Sequence, residues 1–222
     1  AAFFGLMSGV LLLRSPGNAR LLLPAVVCYG LALFAKASAA TMPALVALGV
    51  VAYRGVPPAQ IVGKRHLRRF LWFVVPAVVW LAARWLVLRD SPFPNGEGRL
   101  WHDVGFVPRA LGVGRAAWIT TAHIFLPVGL SGDYAADAAF RPDVQGPGLS
   151  GLAGLLLIGA CVVWGVRLLR TSPRVGYPLL AYVVALLPVL QVVPLGAIVA
   201  DRFAYLPMGF ALPLVGEGLE RV

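Results

Sequence analysis

Apolar runs long enough to cross a bilayer fill most of this chain, and the charges between them are sorted by sign. Up to residue 200 the acidic side chains are Asp90, Glu97, Asp103, Asp133, Asp137 and Asp143, all within one stretch. The dense basic clusters lie elsewhere, at 54–69 and 167–174. A run of roughly 20 apolar residues reads as a membrane-spanning helix. Loops rich in Lys and Arg stay on the cytoplasmic side. Together these rules predict an all-α fold, a polytopic transmembrane helical bundle with a single orientation, embedded in the lipid bilayer.

Composition points the same way. The chain is 59% hydrophobic and 13% charged, where a soluble domain carries about 25% charged residues. A net charge of +10 would suggest nucleic acid in a soluble protein. Here orientation accounts for it, and no basic stretch is interleaved with aromatics as a single-strand binder requires. No nucleic-acid partner is expected. Cys28 and Cys161 both sit inside apolar runs and read as packing residues. No CxxC or His/Cys spacing suggests zinc. The chain opens within an apolar run without an initiator Met and stops just beyond another. It reads as a fragment of a longer protein, so the lack of a signal peptide carries no information.

Spans are predicted at about 1–13, 21–35, 38–53, 70–88, 151–166, 178–200 and 206–220, all within one transmembrane domain. The charge rule puts 14–20, 54–69 and 167–174 inside. The turn at Lys36, the region 89–149 and Asp201-Arg202 then fall outside. Spans 70–88 and 151–166 both have their outer ends at 89–149, so an odd crossing between them is forbidden. The moderately apolar stretch 116–130 is therefore expected to be an interfacial or re-entrant helix on the outer face. Trp118, His123 and Phe125 suit the headgroup level. Residues 89–115 read as a polar loop. Pro24, Pro43, Pro76, Pro188 and Pro194 are expected to kink helices, and Arg84, near the outer end of its span, to snorkel outward.

Several polar residues stand out against this background. Lys36 lies between two apolar runs, where an ionised group costs about 3 kcal/mol on insertion scales and is usually paired or functional; it reads equally as a lysine snorkelling from a hairpin tip. Asp201-Arg202-Phe203-Ala204-Tyr205-Leu206-Pro207 sets an acid beside an arginine at a helix end. Arginine's fork of donors fits a phosphate or carboxylate, although a pair closing a turn has the same sequence. Asp133, in Leu130-Ser131-Gly132-Asp133-Tyr134, suits a sugar hydroxyl or a turn cap. Trp101-His102-Asp103 puts an imidazole beside a carboxylate. No nucleophile elbow, P-loop or HExxH occurs. Gly5 and Gly9 suggest close helix packing. The charge rule gathers Lys36, Arg202, Asp201, Asp133 and the 89–115 loop on the outer face. Two cations there can hold a lipid-linked phosphate while the acids meet a sugar. That geometry suits glycosyl transfer from a polyprenyl-phosphate carrier, not from a nucleotide sugar.

Three blocks carry a family resemblance. Leu33-Phe34-Ala35-Lys36-Ala37-Ser38-Ala39-Ala40-Thr41-Met42-Pro43 resembles the "LLSKE…TLP" stretch of the transmembrane-and-TPR-containing O-mannosyltransferase family and its bacterial relatives. Phe125 to Tyr134 is similar to their "LfPxxLSxDY", and Val199 to Pro207 to their "xADRYxYLP". The resemblance covers nearly the whole chain in the same order. It implies the GT-C architecture, a many-helix membrane bundle with its active site on the luminal or periplasmic face. It also implies transfer of a sugar, mannose in that family, from a polyprenyl-phosphate donor to a protein hydroxyl, with TPR repeats after the membrane part.

By this resemblance Lys36 and Arg202 bind donor phosphate, while Asp201, Tyr205, Asp133, Tyr134 and His102 support the site or its acceptor side. Two departures are visible: Ala37 stands where the family has an acid, and Phe203 where it has a tyrosine. The family's catalytic aspartate lies in the first outer loop and is expected upstream of Ala1, so the catalytic residue is unknown and the fragment alone is expected to be inactive. No DxD-type pair indicates a metal, and the metal requirement stays open. The Arg- and Ala-rich composition suggests a bacterial inner (cytoplasmic) membrane protein. The rival readings are a non-enzymatic transporter or flippase of a lipid-linked glycan, and a membrane scaffold.

Overall fold

The structure, a computed structural model, describes residues 2–14, 19–55, 64–88, 105–128, 148–188, 190 and 204–219. Among these residues the regular structure is entirely helical, with no strand. The chain divides into two compact units, Ala1–Pro92 and Phe93–Val222, and each is described by itself.

The first unit holds α1 (Ala2–Arg14), α2 (Leu22–Ala35), α3 (Met42–Arg54) and α4 (Lys64–Leu88). Short 3₁₀ turns at Ala19–Leu21 and Ala37–Thr41 precede α2 and α3. Each apolar run ends where the sequence offers a stop. Lys36 leaves the helical region at φ −162°, ψ 128°. Gly55 adopts φ 61°, the left-handed conformation that glycine takes without steric cost at a helix C-terminus.

Small residues decide how these helices approach. A Cβ on Gly5 would lie 2.9 Å from Met42 Cε, and one on Gly9 3.3 Å from Val46 Cγ2. The partners advance together, 5 to 42 and 9 to 46, so α1 and α3 run parallel. Between α1 and α2 the buried Ser8 hydroxyl donates to the Ala25 carbonyl at 2.8 Å. The Tyr29 and Phe73 rings sit 5.3 Å apart, and a Cβ on Gly30 would be 3.4 Å from Pro76 Cβ. Both contacts join α2 to α4. The core joins Leu12, Ala25, Tyr29, Ala32, Leu33, Ala39 and Phe73.

The second unit holds α5 (Phe106–Phe125), α6 (Leu149–Thr171), α7 (Pro173–Leu186) and α8 (Tyr205–Leu219). Helices α6 and α7 meet at Ser172, whose N–H donates to Leu168 O at 2.8 Å while its carbonyl accepts from Val175 and Gly176 at 2.9 Å. They form an antiparallel hairpin, with Gly165 against the Leu180 side chain and Gly176 against the Leu168–Leu169 backbone. Helix α8 packs back on α7 through Tyr177 and Phe210, whose rings meet edge-on at 6.0 Å.

Helix α5 lies along α6 in the same direction. A Cβ on Gly151 would meet the Leu111 carbonyl, and one on Gly154 the backbone of Gly114. Both pairings are offset by forty residues. Further along, the Tyr182 hydroxyl donates to Thr121 Oγ1, which itself donates to Ala117 O at 2.6 Å. In the α6–α7 hairpin Tyr182 stands level with residue 163, so Thr121 keeps the register. Ala117 and Ile124 share a core with Ile158, Cys161, Tyr182 and Leu186.

Two helices differ from the sequence expectation. The helix expected at 116–130 runs from 106 to 125, so 106–115 is not a loop. Pro108 falls in its first turn, where no intrahelical N–H is required. Gly114 is not a breaker but the point of closest approach. The helix stops at Leu126, φ −132°, ψ 83°, because the residue before Pro127 disfavours the helical region. The run expected at 178–200 begins at Pro173, a proline in the first turn, and its helix ends at 186. Pro24 and Pro43 likewise open α2 and α3 instead of kinking them, and Pro188 follows α7. Pro76 lies inside α4 and leaves the Trp72 carbonyl without its helical donor. Pro194 falls outside the described residues.

Helix α6 is long and apolar enough to cross a membrane. Its most apolar stretch has a mean hydropathy of 2.2, with 17% of it buried. Its 23 residues rise about 34 Å, slightly more than the roughly 30 Å hydrocarbon core.

Candidate functional site

Of the seven residues expected to form the site, the structure describes Lys36 and Tyr205. Asp201, Arg202, Asp133, Tyr134 and His102 lie outside the described residues. Lys36 belongs to the first unit and Tyr205 to the second.

Lys36 is held by its backbone on both sides. Its N–H donates to Ala32 O at 2.9 Å, and its carbonyl accepts from Ala39 N–H at 3.0 Å. It closes α2 and opens the following 3₁₀ turn, in which Thr41 Oγ1 donates to Ser38 O at 2.9 Å. Leu33 before it and Ala39 after it belong to the core. The side chain is half-buried, so its aliphatic stem leaves from packed surroundings. No Asp or Glu occurs before Asp90, which leaves this unit strongly basic.

Tyr205 is the first residue of α8 and is 74% exposed. The turn around it is anchored: Met208 N–H donates to Ala204 O at 2.8 Å, and Pro207 is fully buried. The burial of Pro207 and exposure of Tyr205 fix how the chain following Asp201-Arg202 enters the helix.

Two features were not foreseen. The guanidinium carbon of Arg84 lies over the Trp80 ring, 5.7 Å from its centroid. The Trp80–Arg84 spacing of four residues carries that signal in the sequence, since side chains four apart meet on a helix face. The second feature is the hydroxyl seam of α5. Thr121 pairs with Tyr182, while the neighbouring Thr120, 4% exposed, has a buried hydroxyl with no hydrogen-bond partner among the described residues. Thr121 and Tyr182 are 61 residues apart, and nothing local in the sequence links them. Arg115 and His123 of α5 are half-buried.

No family model, curated protein or solved structure matches the chain.

Proposed function

We propose that this chain is the membrane part of a polytopic GT-C-type glycosyltransferase. It moves a sugar, mannose by the resemblance, from a polyprenyl phosphate to an acceptor hydroxyl on the outer face of the bacterial inner membrane. Several observations support the bilayer setting. Helix α6 has the length and hydropathy of a span. Large apolar side chains point outward on other helices too, among them Val87 of α4 at 81% and Leu23 of α2 at 68% exposure. Such faces cost too much in water to be left uncovered.

The observation that carries the site is Lys36. It is a half-buried cation pinned by two backbone hydrogen bonds at the end of α2, the end that the charge rule assigns to the outer face. By the resemblance, Arg202 is the second residue assigned to the donor phosphate and Asp201 its support. The parallel register of α5 and α6 supports a re-entrant over an interfacial α5. Both helices then start at the outer face, and α5 descends beside a span.

In the intact protein, Arg202→Ala abolishes sugar transfer while membrane insertion stays normal. Unchanged transfer by that variant sinks the assignment.

One observation favours the transporter reading. The register puts Arg115 beside Leu155 and His123 beside Val163, so α5 carries polar groups alongside a span, as a path for a polar headgroup requires. Proteoliposomes separate the two. A transporter moves a fluorescent lipid-linked glycan between leaflets without releasing sugar, whereas the transferase consumes the donor on one face.

A further inference from the structure

Helix α6 turns Gly165 and the Leu168–Leu169 backbone toward α7, and Gly151 and Gly154 toward α5. Another side of it stays open. Leu156, Val163 and Val166 on that side are 74%, 50% and 60% exposed. Gly159 lies between the first two, and nothing comes within 4 Å of a Cβ there. The missing side chain leaves a notch in the apolar stripe. Arg167 and Arg170 end the stripe, and both are exposed. The steps from 156 to 159, 163, 167 and 170 are all three or four residues, which keeps these positions on one helix face.

From Leu156 to Arg167 the helix rises about 16 Å, close to half of the roughly 30 Å hydrocarbon core. The stripe therefore matches one leaflet, with an acyl-length apolar lane and two cations at headgroup level. No acidic residue occurs between Asp143 and Asp201. The negative end of the helix dipole favours Arg170 in the last turn. Arg167 lies about one turn earlier, where that effect fades, and its long stem lets the guanidinium reach the headgroups. Arg174 supplies a contrast. It is exposed too, but it stands two residues before Gly176, which faces α6. That places it about 200° around α7, on the far side of the hairpin.

We infer that this face of α6 binds one anionic phospholipid of the cytoplasmic leaflet: Arg167 and Arg170 hold its phosphate, and an acyl chain lies along Leu156, Gly159 and Val163. The inference rests on the membrane reading above and not on the transferase reading. Helix α6 has the length and hydropathy of a span, and the charge rule assigns its arginine end to the cytoplasmic side. Two guanidinium forks about one turn apart suit the oxygens of a phosphate diester. A second copy offering the same face in the same membrane orientation would bring arginines against arginines, which charge complementarity disfavours.

The test uses the intact protein, purified in a neutral detergent. It is titrated with phosphatidylglycerol, or with phosphatidylcholine of the same acyl chains, and bound lipid is counted by native mass spectrometry. Phosphatidylglycerol is expected to bind more tightly. Arg167→Gln and Arg170→Gln should each lower its affinity about fivefold, the scale of one basic residue at an anionic surface, and leave phosphatidylcholine unchanged. Arg174→Gln should leave both lipids unchanged. Gly159→Phe fills the notch and should weaken both.

An equal loss in Arg174→Gln means diffuse surface charge and overturns the site, as does unchanged affinity in Arg167→Gln and Arg170→Gln. Unchanged affinity in Gly159→Phe overturns the course of the acyl chain. A dimer that takes up no phosphatidylglycerol puts a second copy on this face and overturns the inference. Melting temperature without added lipid checks the fold of each variant. A protein that inserts into phosphatidylcholine nanodiscs but shows no preference for phosphatidylglycerol removes this site and leaves the membrane reading standing. One that does not insert removes both.

Discussion

Replacing Gly151 by Ala puts the parallel packing of α5 and α6 to a direct test. The new Cβ would lie 2.7 Å from the Leu111 carbonyl oxygen and 3.3 Å from Leu111 Cβ, and ordinary contact begins at 3.4 Å. The obstacle is backbone and cannot rotate aside, so the helices must part by roughly 0.7 Å, a gap that forfeits about a quarter to a half of each dispersion contact along the seam. Overpacking of this kind costs about 1–3 kcal/mol, and the helix preference of Ala over Gly returns up to about 1 kcal/mol. The net loss is about 1–2 kcal/mol, which lowers the melting temperature by about 2–8 °C for a chain of this size.

Gly159 supplies the control on the same helix. Nothing lies within 4 Å of a Cβ there, so Gly159→Ala gains the helix preference without the clash. The two variants should fall on opposite sides of the wild type in thermal unfolding in detergent, followed by tryptophan fluorescence. Equal shifts in the same direction would refute the close approach of α5 to α6 at Leu111.

Adjacent threonines give a second contrast. Thr121→Val breaks the bonds to Ala117 and Tyr182 and should cost about 1 kcal/mol, whereas Thr120→Val removes an unpaired hydroxyl and should be neutral or stabilising; chemical denaturation reads both. Tyr182→Phe should cost about 1 kcal/mol alone and almost nothing in the Thr121→Val background, and full additivity would mean that the two hydroxyls do not meet. Ser8→Ala should destabilise the first unit by about 1 kcal/mol through the lost bond to Ala25, with unchanged stability as the contrary result. Single cysteines at positions 105 and 148 should both react with a membrane-impermeant maleimide from the outer side, and labelling from opposite sides would exclude a re-entrant α5.

Helices bounded by charges were legible to within two turns. The run 21–35 is α2 because Lys36 and Arg20 bracket it, and Lys64–Leu88 extends the run 70–88 by six mostly basic residues, nearly two turns. Start points hidden in polar sequence were not legible. Pro173 and Pro108 look like breakers to a hydropathy reading, yet each sits in a first turn, where a missing N–H costs nothing. Gly114 looks like loop composition, and its use is visible only when Gly151 and Gly154 are brought against it. Of the expected site, Lys36 stands out in the sequence as a lone cation between apolar runs, and it closes α2 as that pattern implies. The contact of Arg84 with Trp80 was legible too, since residues four apart meet on a helix face, but it was overlooked beside the hydropathy of the run. The hydroxyl seam between α5 and α7 joins residues with no periodic relation at all.

Under the proposed membrane reading, the parallel pairing of α5 with α6 also bears on how the chain is built. Two antiparallel helices can enter a bilayer together as a hairpin, but a parallel pair cannot. Helix α5 carries Arg109 and Arg115, charges expensive enough to disfavour its entry into lipid alone. Its binding groove on α6 leaves the ribosome forty residues later. In a chain truncated after residue 148, a cysteine at position 117 should therefore react with a membrane-impermeant maleimide, and in one extended past residue 171 it should be protected. Synthesis in this unit runs ahead of assembly: the later segment is the mould, and the earlier one waits at the surface until the mould arrives.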